Sequence, residues 1–478
     1  VPLQKITLKP SVNRENTRYA NENGWYESNL VRFRQGTPEK IGGWARISAN
    51  YFLGVCRSLW NWVTLSSRNF LGVGTNLKFY VETEGFYYDI TPISSTHTLT
   101  NPFTTISGSP TVTVADATGG YVVNDFVTYT GATAVGGLTL NGEYQISSIG
   151  TGTYTITASG NASSNATGGG TVYASYQVNV GTSTVVPPFG WGAGTWGTPP
   201  VTTPPSTVGT WGYGATSTDS LRIWNQNNFG QNLIYGPRGY PLYYWDASIG
   251  YEPTTTTISI ATPGAVTTAL TLAEFTPITF QTTGALPTGL IPGTIYYVRG
   301  TTSPFNLSST PTGALITTSG TQSGVHSISP RGIPISALTG ASDTPLSQNY
   351  FLVSDTSRFV ICFGTNEAGS SVFDPMLIRW SDQESVTQWT PAATNQAGSI
   401  RLSHGSRIVT AIQSRQEILV WTDSTMYSLQ YLGSPYVWGN QLLADNVSIA
   451  GPNAVALASG VTYWMGVDKF YKYDGRIQ

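Results

Sequence analysis

The chain has 478 residues, of which 40% are hydrophobic, 12% aromatic and only 10% charged, and its net charge at pH 7 is −2. That apolar share without a high net charge excludes a disordered chain, and near-neutrality removes any bulk electrostatic case for tight binding to nucleic acid or membrane. The length suits two to four domains, or one large β-architecture carrying insertions.

Residues 1–94 are basic and rich in Trp. Nine of the 23 basic residues fall in the first 57 positions against four acids, a local charge of +5. Arg14, Arg18, Trp25, Arg32, Arg34 and Trp44 form a candidate docking interface, since Arg and Trp are the usual anchors of protein contacts. The alternative is a first sheet whose arginines sit on a solvated rim.

Residues 95–185 form a Thr/Gly/Val zone, and no Lys or Arg occurs from Phe79 to Leu221. Thr111-Val-Thr-Val-Ala115 alternates with period 2, and Asp125-Phe-Val-Thr-Tyr129 and Gly142-Glu-Tyr-Gln-Ile146 follow, with Gly and Asn clustered between them as hairpin turns. An inserted β-module of sandwich or barrel type is expected. Residues 186–255 open on a Gly/Trp/Pro loop and return to aromatic strands. Trp191, Trp196, Trp211 and Tyr213 in that loop are candidate contacts for a sugar, a partner or a neighbouring subunit. Residues 256–330 are again Thr-rich and read as a second inserted β-module, with Tyr296-Tyr-Val298 in a strand. Residues 331–478 resemble the first zone.

A unit recurs along the flanking zones: an apolar run, a short turn, then a Tyr-rich run. Its copies are Phe70–Val73 to Leu77–Val81; Leu233–Tyr235 to Tyr240–Trp245; Phe359–Phe363, without a clear second run; Ile418–Trp421 to Met426–Tyr431; and Val461–Trp464 to Phe470–Tyr473. Ser67-Arg-Asn-Phe-Leu71 parallels Ser414-Arg-Gln-Glu-Ile-Leu419, each after another apolar run, which makes three consecutive strands. An all-β chain is predicted, with a β-propeller-like core of short antiparallel sheets and two inserted modules, because radially repeated sheets bury both faces and expose only short edges. Unrelated β-sandwich hairpins are the alternative. The last copy stops at Tyr473-Asp-Gly475, mid-sheet, so either an N-terminal strand closes the ring or further chain does.

Chemistry is sparsely signalled. Cys56 and Cys362 stand far apart, which supports neither a disulfide framework nor a zinc site and is read as two buried thiols. His97, His326 and His404 lack metal-ligand spacing and are read as structural turn residues. No Gly-x-Ser-x-Gly elbow or phosphate-binding loop occurs. Trp380-Ser-Asp382 with Trp389 is similar to the aspartate-box turn of sialidase-type propellers, where the Asp caps a hairpin. Asp374, Asp382 and Glu384 are expected on solvated turns rather than as the convergent pair a glycosidase requires. No catalytic residue, metal or cofactor is assigned, and the chain is expected not to be an enzyme. No secretory signal or run of ~18 apolar residues is found, so synthesis in the cytosol without a membrane-spanning segment is expected.

Leu3-Gln-Lys-Ile-Thr-Leu-Lys-Pro10, Asn13-Arg-Glu-Asn16, Gly24-Trp-Tyr26 and Val31-Arg-Phe-Arg-Gln-Gly-Thr-Pro-Glu-Lys-Ile-Gly-Gly-Trp44 resemble the opening of tail nozzle proteins and packaged-DNA stabilisation proteins of short-tailed, T7-like and P22-like bacteriophages. Leu377–Asp382 with Trp389-Thr-Pro391, Leu419–Asp423, Gly451-Pro452 and Tyr463–Asp468 are similar to the same group. The resemblance covers both ends, about half the chain, and leaves out the Thr-rich zones. It implies a virion tail protein that forms a homo-oligomeric ring, six-fold in that family, below the portal and adaptor. Such a ring extends the DNA channel, passes double-stranded DNA without sequence specificity, retains packaged DNA and carries fibres or spikes. The rival reading is a carbohydrate-binding or sialidase-like propeller acting in host receptor recognition.

Overall fold

The computed structural model describes residues 9–15, 17, 19–43, 48–180, 223–415 and 417–477. They belong to two units, residues 1–51 and residues 52–478.

In the first unit Val31–Arg34 pairs with Thr37–Lys40 in a hairpin. Its two turn residues, Gln35 and Gly36, both take positive φ, 50° and 82°, as a type I′ turn requires, and its twist matches that of the flanking strands. Upstream, Val12 and Trp25 form an isolated parallel bridge.

The second unit is β-stranded, and its one described helical element is the 3-10 turn Ile335–Ala337. Five antiparallel sheets, here called blades, follow one another along the chain. The first comprises Cys56–Val63, Asn69–Thr75, Phe79–Thr83 and Phe86–Asp89. The second comprises Trp224–Phe229, Asn232–Pro237, Tyr243–Trp245 and, much later, Ile333–Pro334. The third runs Tyr350–Val353, Val360–Asn366, Phe373–Trp380 and Gly398–Arg401. The fourth runs Ile408–Gln413, Ile418–Thr422, Thr425–Gly433 and Val437–Asp445. The fifth has three described strands, Val455–Ala458, Val461–Met465 and Phe470–Tyr473. Each repeated hairpin of the sequence falls in a different blade. The partial third copy does have a second run, Phe373–Trp380, beyond a long polar turn.

Alternation of side chains explains why the blades stack. Leu233 and Tyr235 join Trp62, Phe70 and Phe79 of the first blade, while Ile234 between them joins Phe351, Val360 and Cys362 of the third. Ile361 and Phe363 turn the other way, to Ile418 and Val420 of the fourth. Leu419 and Trp421 then meet Trp464 of the fifth. Successive residues point to opposite faces of a strand, so a continuous apolar run is what a sheet buried on both faces requires. The core is therefore propeller-like, built from short sheets packed face to face in chain order.

Two modules interrupt this order. Between the first and second blades, a four-stranded sheet (Gly142–Gln145, Phe126–Thr130, Thr171–Gln177, Ile93–Thr100) and a five-stranded sheet (Ser148–Gly150, Thr153–Thr157, Thr111–Ala115, Phe103–Thr105, Ala166–Gly168) enclose a core of Phe103, Val112, Val127, Tyr129, Tyr154 and Val172. It is a β-sandwich. The second module lies inside the second blade, between its third and fourth strands. It is a seven-stranded sheet whose end strands, Pro277–Ile278 and Phe280–Thr282, are separated by Thr279 alone. A sheet whose two edges are neighbours in sequence is a nearly closed barrel.

Candidate functional site

The described docking residues of the first unit are largely tied to their own hairpins. Arg14 pairs with Glu27 at 3.3 Å and donates to the Tyr26 carbonyl at 3.2 Å. Arg32 pairs with its cross-strand partner Glu39 at 3.1 Å. Trp25 is half-buried and meets Phe33 edge-on at 5.8 Å, and its indole N–H finds no acceptor among the described residues. Arg34 is exposed at the hairpin turn, without an ion pair among the described residues. Arg14, Trp25, Arg32 and Arg34 thus share one small unit, and the two arginines with carboxylate partners have most of their charge met locally. Arg18, Trp44, Trp191, Trp196, Trp211 and Tyr213 lie outside the described residues.

The densest charge cluster was not foreseen from the sequence. It sits where the first inserted module meets the blades. Lys78, in the turn before Phe79–Thr83, donates to Asp89 at 2.8 Å and to Glu143 of the sandwich at 2.5 Å. Arg331, just before the last strand of the second blade, reaches the same two carboxylates at 3.3 and 3.7 Å and donates to the Thr91 carbonyl at 2.7 Å. Gln177 donates to the other oxygen of Glu143 at 2.7 Å, and the Lys78 ammonium lies 4.5 Å from the Phe126 ring centre. Two cations and two carboxylates balance. Burial alone would raise the Asp89 pKa, but Arg331, Lys78 and a hydrogen bond from Thr91 overcome it and hold it at about 2. Three segments distant in sequence are clamped here. Their spacing gives no local signal.

Inside the sandwich a second polar chain runs through the core. His97 Nδ1 lies 2.6 Å from Asp116 Oδ2, to which Tyr176 also donates at 2.7 Å. Tyr154 bonds Tyr176, and Tyr129 bonds Tyr154, both at 2.7 Å. With the carboxylate fixing one end, each hydroxyl donates toward it in turn. Burial opposes the Asp116 charge, but hydrogen bonds from His97, Tyr176 and Thr118 hold its pKa down. His97 and His326 are therefore strand residues rather than turn residues. His326 contacts Thr282 and Gln322, and burial lowers its pKa. His404 is the turn residue expected, exposed beside Ser403 and Tyr427.

The aspartate-box-like segment serves the fold of the third blade. Trp389 is fully buried and donates its indole N–H to the Val386 carbonyl at 2.9 Å. Asp382 accepts the Gln396 amide at 2.8 Å. Glu384 faces Arg358 at 3.8 Å. Asp374 lies in a strand, not on a turn, and pairs with Arg401 at 2.6 Å. Each carboxylate is thus committed to a different partner. Arg379 beneath them is fully buried and bonds Asp343 at 2.7 Å and the Trp389 carbonyl at 3.2 Å. Cys362 is fully buried as expected, whereas Cys56 is only half-buried, and burial raises both thiol pKa values. Among the described residues no three His, Cys, Asp or Glu side chains gather to hold a metal ion, and no helix is long and apolar enough to cross a membrane.

No family model matches the sequence, and no curated protein matches it. Among solved structures the chain is similar to one described as "Phage phi92 endosialidase", at 12% identity and a TM-score of 0.18, over 90% of this chain and 55% of that one. The chain thus spans little more than half the length of that structure. The expectation that the chain is not an enzyme is corrected at this point, because the similar structure bears the name of one. That name describes the other protein, and at this degree of likeness its activity does not pass to this chain.

Proposed function

We propose that the chain is a nozzle or hub component of a bacteriophage tail. In this reading copies assemble into a ring that extends the DNA channel below the portal and adaptor, retains packaged DNA and carries fibres or spikes. The observation that carries the reading is the core itself: five small sheets stacked in chain order, with the family-like runs of the C-terminal half lying in the third, fourth and fifth blades.

The electrostatics support passage of DNA. A conduit must not grip its cargo, and every phosphate held by a free Lys or Arg adds an ionic-strength-dependent hold. Here the net charge is −2, and many basic groups are already matched: Arg14 by Glu27, Arg32 by Glu39, Arg358 by Glu384 and Arg401 by Asp374. The two inserted modules, hung on the blades by paired strands, are suited to contacting neighbours.

Electron microscopy of the purified assembly tests the reading. A ring with a central opening wide enough for a duplex of about 20 Å is expected. A monomer at micromolar concentration, or a ring closed to a smaller bore, would remove it.

A further inference from the structure

We propose that the free face of the first blade and the free face of the fifth, at the two ends of the stack, meet between neighbouring copies of this chain. The inference rests on the ring reading above and names the contact that builds the ring.

In the strand Cys56–Val63, alternate residues face the second blade. Ser58 Oγ accepts from Gln226 at 2.5 Å, while the Trp60 and Trp62 indoles donate to Asn228 Oδ1 at 3.2 Å and the Gln231 carbonyl at 3.1 Å. Leu59 and Val63 alternate with them and point the opposite way, where they stay 61% and 58% exposed. Farther from this edge the same face is covered, Tyr80 lying 6.3 Å from Phe52 between ring centres. The free strip therefore runs along Cys56–Val63. The fifth blade turns Trp464 to Trp421 of the fourth, 5.4 Å between ring centres, and Tyr471 stacks beside Trp464 at 5.1 Å. Its other face carries Tyr463 and the cross-strand pair Met465 and Phe470, which are 47%, 44% and 83% exposed. Lys472, cross-strand partner of Tyr463, is the one charge in the three strands of this blade.

The seams inside the stack show what such faces accept. Between the third and fourth blades Ile361 and Phe363 meet Ile418 and Val420, and between the first and second Phe70 and Phe79 meet Leu233. Each seam sets aromatic rings against branched aliphatic chains. The two free faces divide the same ingredients between them: aliphatic Leu59 and Val63 on one, aromatic and thioether Tyr463, Met465 and Phe470 on the other. Joined, they have the composition of one more seam, which argues for a second copy of this chain as the occupant. Clustered apolar side chains left in water on a sheet face mark a protein contact. Because the two faces differ, copies dock head to tail, and a heterologous contact of that kind repeats around a ring, whereas two like faces stop at a dimer.

The test uses the full chain and two double variants, Leu59→Glu with Val63→Glu and Met465→Glu with Phe470→Glu, sized by sedimentation where wild type assembles. Each variant alone is monomeric at the wild-type melting temperature. An equimolar mixture gives dimers and nothing larger, because each variant keeps one intact face. Rings formed by either variant alone overturn the contact while leaving the conduit reading standing. Dimers formed by the Leu59/Val63 variant alone overturn the head-to-tail arrangement, and a monomeric wild type removes the contact and the conduit reading together. Where a variant fails to fold, peroxide oxidation of Met465 in wild type reads the same contact. Its sulfoxide forms about fivefold more slowly in the ring than at a dilution that yields monomers, and equal rates overturn the proposal.

Discussion

Lys78 Nζ and Glu143 Oε1 lie 2.5 Å apart, although 65 residues separate them and they belong to different modules. The pair is the bolt between the first blade and the sandwich inserted after it. Its ammonium side is almost wholly buried, at 4% exposure, so Lys78→Met leaves two carboxylates facing Arg331 alone. Removing one partner from a buried pair costs about 3 kcal/mol or more. Urea unfolding should show that loss. A change within 0.5 kcal/mol would mean that the cluster is solvated.

Acid should loosen the same junction. The folded pKa of Asp89, about 2, lies below its ordinary value of 3.8, so its ionised form contributes stability that is fully present above pH 4. That contribution is lost as pH falls through about 2. By linkage it amounts to about 2 kcal/mol. Melting temperature followed from pH 6 to 2 should fall less steeply in Asp89→Asn than in wild type once the variant's own lower baseline is subtracted. Parallel curves would refute the assignment.

The tyrosine chain of the sandwich should respond by position. Tyr176→Phe removes a donor to the buried Asp116 carboxylate and the acceptor of Tyr154, and a buried polar group left unmatched costs about 2 kcal/mol. Tyr129→Phe, at the far end, removes a single donor and costs about 1 kcal/mol. Paired denaturation curves check the ranking, and an inverted order would mean the hydroxyls donate in the opposite sense.

Contact between the first and second blades depends on the absence of one side chain. A Cβ placed on Gly74 would lie 2.6 Å from the Cβ of Trp224, whose indole donates to the Thr75 carbonyl at 2.8 Å. Gly74→Ala should therefore push these sheets apart and cost about 2 kcal/mol, with a red shift in tryptophan emission. An unshifted spectrum at wild-type stability would show that the sheets yield freely.

What the sequence made legible follows from periodicity. Ile418-Leu-Val-Trp421 reads as a strand because apolar residues, most of them β-branched or aromatic, run unbroken between polar turn residues, and in the fold alternate members bury against different neighbours. Trp224–Phe229 carries Asn225, Gln226, Asn227 and Asn228, so no apolar pattern marks it, although it begins a blade. Ile333–Pro334 is two residues long, too short for any period. The joining of Lys78, Asp89, Glu143 and Arg331 arises from tertiary packing, and nothing near those residues announces it. The pairing of His97 with Asp116 was hidden for the same reason: it spans two sheets of one sandwich.

Both insertions begin and end on paired strands: Ile93–Thr100 lies against Thr171–Gln177, and Thr254–Ile258 against His326–Ile328. Seen from the blades, each excursion leaves and returns through the same doorway, so its net displacement is close to that of a tight turn. The loop-closure entropy of a long detour is met inside the module itself. Such appendages can be exchanged, enlarged or trimmed while the strand register on either side stays in place, which leaves the outer decoration of this protein free to diverge around an unchanged frame.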